Sequence, residues 1–462
     1  MGLDGLRRFS LERLAGEHVD SLAALARKSR VDIVRMISSA GSGHIGGSLS
    51  SIDIYVVLWT CANVGADVSQ SRARDRIVVS HGHTSAAVYS VLGNLRYCDM
   101  DAVLSSFRRS GSVFEGHPCL KVPGVDWCSG SLGQGLSVGC GFALASRIKR
   151  QDNHVFVVMG DGEQEKGQIT EARELASKYG LGNLTAIIDA NGLQASGELA
   201  DVMPQDIPAK YRASGWRVFE VDGHDYAEMY AALRTCYLER SPPTVIIAHT
   251  HMGKGVSFIE DRFEYHGKTL TPAETECAIE EVLAAGSCDV GGRLLGCELG
   301  DQAGSTARSC VEERVQPGTP VLYEAGQMVD CRSAFGTALV NLGRANRDAD
   351  GVQMAVVDCD LADSLKLRAF AAEFPEWMIE CGIQEHNAAT VAGALSRAGV
   401  LTFFADFGVF GIDETYGQHR MNDFNDTSLK LIVTHNGLDV GEDGKTHQCI
   451  DYVGIISNLF GY

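Results

Sequence analysis

No stretch of this chain is apolar and long enough to cross a bilayer, and its first residues lack the charged-then-apolar pattern of a secretory leader. Both absences point to a cytoplasmic protein. Positive charge is in short supply: 40 lysines and arginines stand against 59 acidic residues, a formal net charge of −19. That balance argues against a nucleic-acid partner and against binding to an anionic membrane. The 14 cysteines include no C-x-x-C pair of metal-ligand or redox spacing. They are scattered, and Cys128, Cys140, Cys359 and Cys381 lie inside apolar runs, so they read as reduced core residues. Short internal repeats and low-complexity tracts are also absent, which excludes a fibrous or disordered chain. What is abundant is glycine, 52 residues, in a sequence of 462 that is 45% hydrophobic. Such a composition fits a loop-rich α/β protein of two domains or more, each with its own core.

Val19 to Ala40 has helical periodicity and ends at Gly41-Ser42-Gly43. Strands and helices then alternate to about Thr250, the pattern of a parallel sheet covered on both faces. Thr271-Pro272-Ala273-Glu274 is a capping box with proline at the first helical position, opening a helix to about Ala285. From Gly286 to about Gly318 the chain is rich in glycine, serine, charge and cysteine and has no aromatic residue, so residues 286–325 read as a linker. A second α/β pattern begins near Cys331: a helix to Ala345, a strand Gln353–Asp358, a helix Ser364–Glu373 and a glycine-punctuated run to Ile383. A strand Val400–Phe404, a helix around Ile412–Met421 and a strand Leu429–Thr434 follow, and the tail Ile450–Tyr462 reads as one closing helix. The expected domains are therefore 1–285 and 326–462.

Two apolar strands each run out into a polar turn. His154 to Met159 leads into Gly160-Asp161-Gly162, and Leu184 to Ala190 leads into Asn191-Gly192-Leu193, with a helix expected around Glu171 to Tyr179. Ligands of open parallel sheets bind at the carboxyl ends of the strands. A carboxylate, an amide oxygen and a backbone carbonyl are hard oxygen donors that suit Mg²⁺ or Ca²⁺ with diphosphate oxygens completing the shell. The unit reads as a thiamine-diphosphate and metal site. Histidines recur beside glycines in Ser42-Gly43-His44, Ser80-His81-Gly82-His83, Glu115-Gly116-His117-Pro118 and Tyr265-His266-Gly267. One histidine near a turn is usually structural; four glycine-flanked ones are suited to holding polyhydroxylated substrates and moving protons near neutral pH. Ser129 to Gly135 adds a loop flexible enough to press its backbone onto a planar ligand. His154 and His224 read as structural.

Taken together, these motifs resemble the cofactor-binding half of transketolases, and most closely the two-subunit (split) members of that family. The second half resembles them too, in Asp360-Leu361-Ala362-Asp363-Ser364, Gly382-Ile383-Gln384-Glu385-His386, the Phe404/Phe407/Phe410 series, and His435 followed by Gly441 to His447. The resemblance implies a diphosphate-binding and a pyrimidine-binding domain. Asp161, Asn191 and the Leu193 carbonyl would hold the metal, with Gly160 and Gly162 beside them. His83, Gly130, Ser131, Leu132, Asp360 and Leu361 would line the cofactor. Glu385, in an apolar setting that raises its pKa, would hydrogen-bond the pyrimidine ring and so activate the cofactor. Phe404, Phe407 and Phe410 would wall the pyrimidine, although such a stripe by itself is more often core. His44, His117, His266, His435 and His447, with Asp443, would contact substrate, and the histidines other than His435 would also shuttle protons. Arg332 and Ser364 would belong to a sugar-phosphate pocket; by itself Arg332 reads equally as a solvated arginine at a helix start. The implied reaction moves a two-carbon ketol unit from a ketose or ketose-phosphate donor to an aldose acceptor by way of a cofactor-bound dihydroxyethyl group.

The chain departs from the family pattern in three places. Lys166 stands where the family carries a glutamate that couples paired active sites, with Glu165 adjacent; Glu414 stands where split members carry arginine. The third is the end: the chain stops at Tyr462, soon after His447, where the family continues. The second sheet is therefore expected to be unfinished, with an unpaired edge and an uncovered apolar face. This implies a second subunit carrying the rest of that domain and a C-terminal domain, assembled as a dimer of heterodimers. Two rivals remain: a deoxyxylulose-phosphate-synthase-like carboligase, and a non-catalytic, cofactor-binding partner subunit.

Overall fold

Strands that are apolar on both faces must be covered on both faces, and here that requirement produces two parallel sheets, each flanked by helices. The computed structural model describes residues 3–65, 74–290, 315–347 and 352–459. Most of the expected linker, residues 291–314, lies outside them, as do residues 460–462 of the expected closing helix. The chain divides into one unit of Met1–Leu136 with Asn153–Thr306 and another of Ser137–Asp152 with Ala307–Tyr462. No helix of the described residues is long and apolar enough to cross a membrane.

In the first unit, β1 (Arg76–Val79), β2 (Val155–Gly160), β3 (Leu184–Ala190), β6 (Arg217–Asp222) and β7 (Thr244–His249) form a sheet in the order β1-β2-β3-β7-β6, parallel throughout. β4 (Leu193–Gln194) and β5 (Gly197–Glu198) make a small antiparallel hairpin after β3. The register pairs Gly160 with Asp189 and Ala190 with His249, so the turns after β2, β3 and β7 open at one edge. Helix Gly16–Ala40 ends where Gly41 turns left-handed at φ 60°, a conformation that costs glycine nothing. Helix Ile45–Cys61 is apolar nearly all round and accordingly buried nearly all round. The Thr271 capping box forms: Glu274 N–H donates to Thr271 Oγ1 at 3.3 Å while Thr271 N–H donates to Glu274 Oε2 at 2.8 Å.

The second unit holds β8 (Met354–Asp358), β9 (Met378–Glu380), β10 (Leu401–Phe407) and β11 (Lys430–Thr434), ordered β11-β10-β8-β9 and again all parallel. One face packs Met354, Val356, Ala405 and Phe407 against Leu339, Phe370, Phe374 and Trp377. The helix Gly135–Ile148, early in the sequence, groups with this unit. It approaches helix Glu385–Arg397 so closely that a Cβ on Gly141 would lie 2.6 Å from Ala394 Cβ and 2.7 Å from the Val391 carbonyl oxygen.

Several elements differ from expectation. The helix expected over Ser364–Glu373 forms only as Arg368–Glu373, because Lys366 takes a left-handed φ of 62° that no helix continues through. β9 and helix Glu385–Arg397 lie in a region read only as a glycine-punctuated run and its sequel. The helix around Ile412–Met421 is two pieces, a π-helical turn Val409–Glu414 and a helix Tyr416–Phe424. Among the described residues the expected closing helix is five residues, Tyr452–Ile456.

Candidate active site

Asp161 follows β2 and Asn191 follows β3, and neighbouring parallel strands bring the two turns together. Asp161 accepts hydrogen bonds from Gly162 N–H (2.7 Å) and Gly192 N–H (2.6 Å), and its own N–H donates to the Asp189 carbonyl. Asn191 Oδ1 accepts from Leu193 N–H at 3.0 Å, and its amide nitrogen reaches Ser50 and Asp189. Asp161 is 4% exposed and has no ion-pair partner among the described residues. Burial first, and the nearby Asp189 carboxylate further, push its pKa up to about 7. A buried carboxylate without a counter-charge, beside a second carboxylate and an amide oxygen, is chemically fitted to a divalent cation with hard oxygen preference. Asp189 itself is held by Ser50, Ser51 and Thr250, none of which the sequence marked.

The glycine-flanked histidines form one cluster. The rings of His44 and His83 are 4.8 Å apart, those of His83 and His117 4.8 Å, and those of His44 and His266 5.8 Å. Burial lowers all four imidazoles: His44 falls to about 4, with Arg108 and the other histidines adding, and His83 to about 3, with its histidine neighbours adding. Arg108, missed in the sequence, donates to Ser42 Oγ at 2.6 Å and lies 3.4 Å from His44 Nδ1. The cluster is thus neutral at pH 7 with a cation on its flank, a setting that resists protonation of the imidazoles and favours an anionic or hydroxyl-rich guest.

The Ser129–Gly135 loop closes against the same cluster, since a Cβ at Gly130 would lie 3.8 Å from the His117 ring. Ser131 and Leu132 are exposed beside it. Glu163, one residue past Gly162, is the buried clasp: it accepts from Gly133 N–H (2.7 Å), Ser80 Oγ–H (2.5 Å) and Gly160 N–H (3.0 Å). Lys166 is exposed, and its side chain lies against Gly133 so closely that a Cβ there would meet it at 2.5 Å; neighbouring Glu165 accepts from Gln194. His154 and His224 are structural: His154 is fully buried against Phe156 and bonded to Thr185, and His224 holds the buried Asp53, which also pairs with Arg30.

The second unit brings its residues to the carboxyl ends of β8 and β10. Glu385, half-buried, opens helix Glu385–Arg397; its carboxylate, the Cys359 thiol and an Asp406 carboxyl oxygen lie within 4.8 Å of one another. Asp360, left-handed at φ 61°, donates its N–H to Glu380 at 2.9 Å, and Leu361 donates to Asp358 at 3.2 Å. Phe407 and Phe410 stack at 6.1 Å, with His435 3.8 Å from Phe407 and His447 5.3 Å from Phe410. Phe404 is not in this group: it has no exposed surface and lies against His419. Arg332 donates to the Ser364 carbonyl at 3.2 Å. Burial first, then Arg332, lower the His435 imidazole, with Asp443 opposing. Glu414 is exposed at the end of the π-helical turn.

Residues 21–282 match the family described as "Transketolase, thiamine diphosphate binding domain", and residues 327–458 match "Transketolase, pyrimidine binding domain". Transketolase-like protein 2 of Mus musculus is 30% identical over 461 residues, covering 97% of this chain and 70% of that protein. An apulose-4-phosphate transketolase subunit of Phocaeicola vulgatus is 36% identical over 266 residues, 57% of this chain and 94% of that protein. The structure of the transketolase from Campylobacter jejuni superposes with a TM-score of 0.83 at 26% identity, over 96% of this chain and 73% of that one. With both domain families matched in order along its length, this chain belongs to the transketolase family, whose domains bind thiamine diphosphate.

Proposed function

We propose that this chain is a transketolase-type transferase subunit, moving a two-carbon ketol unit from a ketose or ketose-phosphate donor to an aldose acceptor with thiamine diphosphate and Mg²⁺ or Ca²⁺. The observation that carries this reading is the buried, uncompensated Asp161 carboxylate at the sheet edge with Asn191 beside it. Thiamine diphosphate, when bound, supplies the electron sink for carbon–carbon cleavage. Asp161, Asn191 and the Leu193 carbonyl would hold the metal, and His83 with Gly130 to Leu132 would border the cofactor. Glu385 would hydrogen-bond the pyrimidine ring and hold its proton in place. His44, His117 and His266, kept neutral by burial, would orient the sugar hydroxyls by hydrogen bonds and shuttle protons during cleavage and ligation. Arg332 and Ser364 would receive the phosphate end, and His435 and His447, which lie against the ring of Phe407, would contact substrate together with Asp443.

A partner belongs to the proposal: a second chain carrying the rest of the pyrimidine-binding domain and a C-terminal domain, in a cytoplasmic dimer of heterodimers. Its support is the likeness of 57% of the chain to a protein whose name marks it as one subunit of a transketolase. The test of the chemistry is exchange of the cofactor C2 proton in the assembled enzyme. Glu385→Gln should retain cofactor and slow exchange by about 10²–10⁴-fold, the contribution of a positioned acid–base group; exchange at the wild-type rate would remove Glu385 from this role. The test of the partner is ketol transfer by the chain alone and with a second transketolase subunit co-expressed. Full activity alone would remove the partner and leave the chemistry standing.

A further inference from the structure

Asp406 sits in β10 between Phe404 and Phe407, in a segment otherwise apolar, and is itself completely buried. A carboxylate in such a strand needs a reason, because burying an ionised group without a partner is costly. One of its oxygens accepts the Phe407 N–H at 2.7 Å. The other, Oδ2, is buried without a hydrogen-bond partner. One Asp406 carboxyl oxygen, the Glu385 carboxylate and the Cys359 thiol lie within 4.8 Å of one another, and the thiol helps to stabilise the Asp406 anion. Asp358, at the end of β8, is the next acid in range, and β11 presents the apolar Val433. On the side of the π-helical turn Gly411 packs on the Asp406 Cβ, and His419 behind it is buried and neutral with Nε2 on the Gly411 carbonyl. No lysine, arginine or protonated histidine among the described residues pairs with Asp406.

Given the role proposed for Glu385, on which this inference rests, we propose that Asp406 and Glu385 form a proton-sharing pair in which Asp406 is the positioning residue for Glu385. Two carboxyl groups this close in a water-poor interior cannot both carry charge without repulsion, and one proton held by the pair relieves it. Glu385 opens a helix, where backbone amides favour an anion; Asp406 lies mid-strand with a single amide donor, so the proton rests on Asp406 Oδ2. Burial, then the Glu385 and Asp358 charges, push Asp406 up to about 8, in keeping with this placement. The pair titrates as a unit.

Infrared difference spectroscopy on the purified full chain, without added cofactor, reads the pair directly. A protonated-carboxyl band at neutral pH that vanishes in Asp406→Asn and changes frequency in Glu385→Gln supports it. No such band, or a band indifferent to Glu385→Gln, overturns it. If Asp406→Asn does not fold, the Glu385→Gln shift alone decides. In the assembled enzyme, C2 proton exchange should slow about tenfold in Asp406→Leu, the effect of a change of about one unit in the Glu385 pKa. Asp406→Asn, which still donates, should restore most of that rate and lose the alkaline decline of the wild-type profile. A decline that persists in Asp406→Asn also overturns the pair. Unchanged exchange in Glu385→Gln would instead remove the cofactor role while leaving the infrared result to stand on its own.

Discussion

A single carboxylate, Asp161, concentrates most of what the first unit offers a cation. Asp161→Ala should weaken thiamine-diphosphate binding in the presence of Mg²⁺ by about 100-fold or more, the scale of leaving a buried charge unpaired. Calorimetry reads this directly, and an unchanged affinity would mean that the metal sits elsewhere. The histidine cluster makes a second residue-level prediction. In the free chain the imidazoles of His44 and His83 should titrate near 4 and 3, and inorganic diphosphate should raise both, as NMR of the ring protons would show. A third concerns stability. His154 is fully buried and held neutral down to about 3, below the ordinary imidazole value. The native state therefore prefers its neutral form, so its contribution is complete above about pH 6.5 and is lost as pH falls toward 3. Urea unfolding should show about 2 kcal/mol less stability at pH 5 than at pH 6.5 from this residue, a loss absent in His154→Gln. These histidines were legible because glycine neighbours or an apolar strand mark them. Arg108 carries no such mark. Glu163 and Asp406 carried one that was overlooked, an acid where a turn or strand has no use for charge.

Helices and strands were legible where periodicity and caps agreed, as with Gly16–Ala40 and the Thr271 box. They were not legible where a backbone conformation decides, as at Lys366, or where an alanine-rich helix such as Glu385–Arg397 has too little polar contrast to show a face. That helix meets Gly135–Ile148 through glycine. Gly141→Ala would gain up to about 1 kcal/mol of helix propensity. The added Cβ, however, would sit 2.7 Å from a backbone oxygen, and overpacking typically costs about 1–3 kcal/mol. The clash should win. Thermal melting should show Gly141→Ala less stable than the parent chain and Gly141→Val less stable still; a rise for Gly141→Ala would mean that the two helices separate more easily than their packing suggests.

Across the whole molecule, the two parallel sheets followed from alternating patterns, but their strand orders and the ownership of residues 137–152 did not, since nothing in a local pattern says which core a helix will join. A chain cut between residues 291 and 314 tests that ownership. Fragment 315–462 alone should be poorly folded by circular dichroism, and mixing it with fragment 1–290 should restore its helical signal and protect Gly135–Ile148 from proteolysis. A well-folded 315–462 fragment would show that the early helix is dispensable. The same discontinuity reaches back to synthesis. At about 5–20 residues per second, the helix Gly135–Ile148 leaves the ribosome roughly 10–40 s before Cys331–Asn346 and the strands that follow. For that interval the nascent chain carries an oily helix whose destination has not yet been translated. A pause in translation after residue 152 should therefore lower the yield of this protein, and a chaperone that holds nascent apolar segments should raise it.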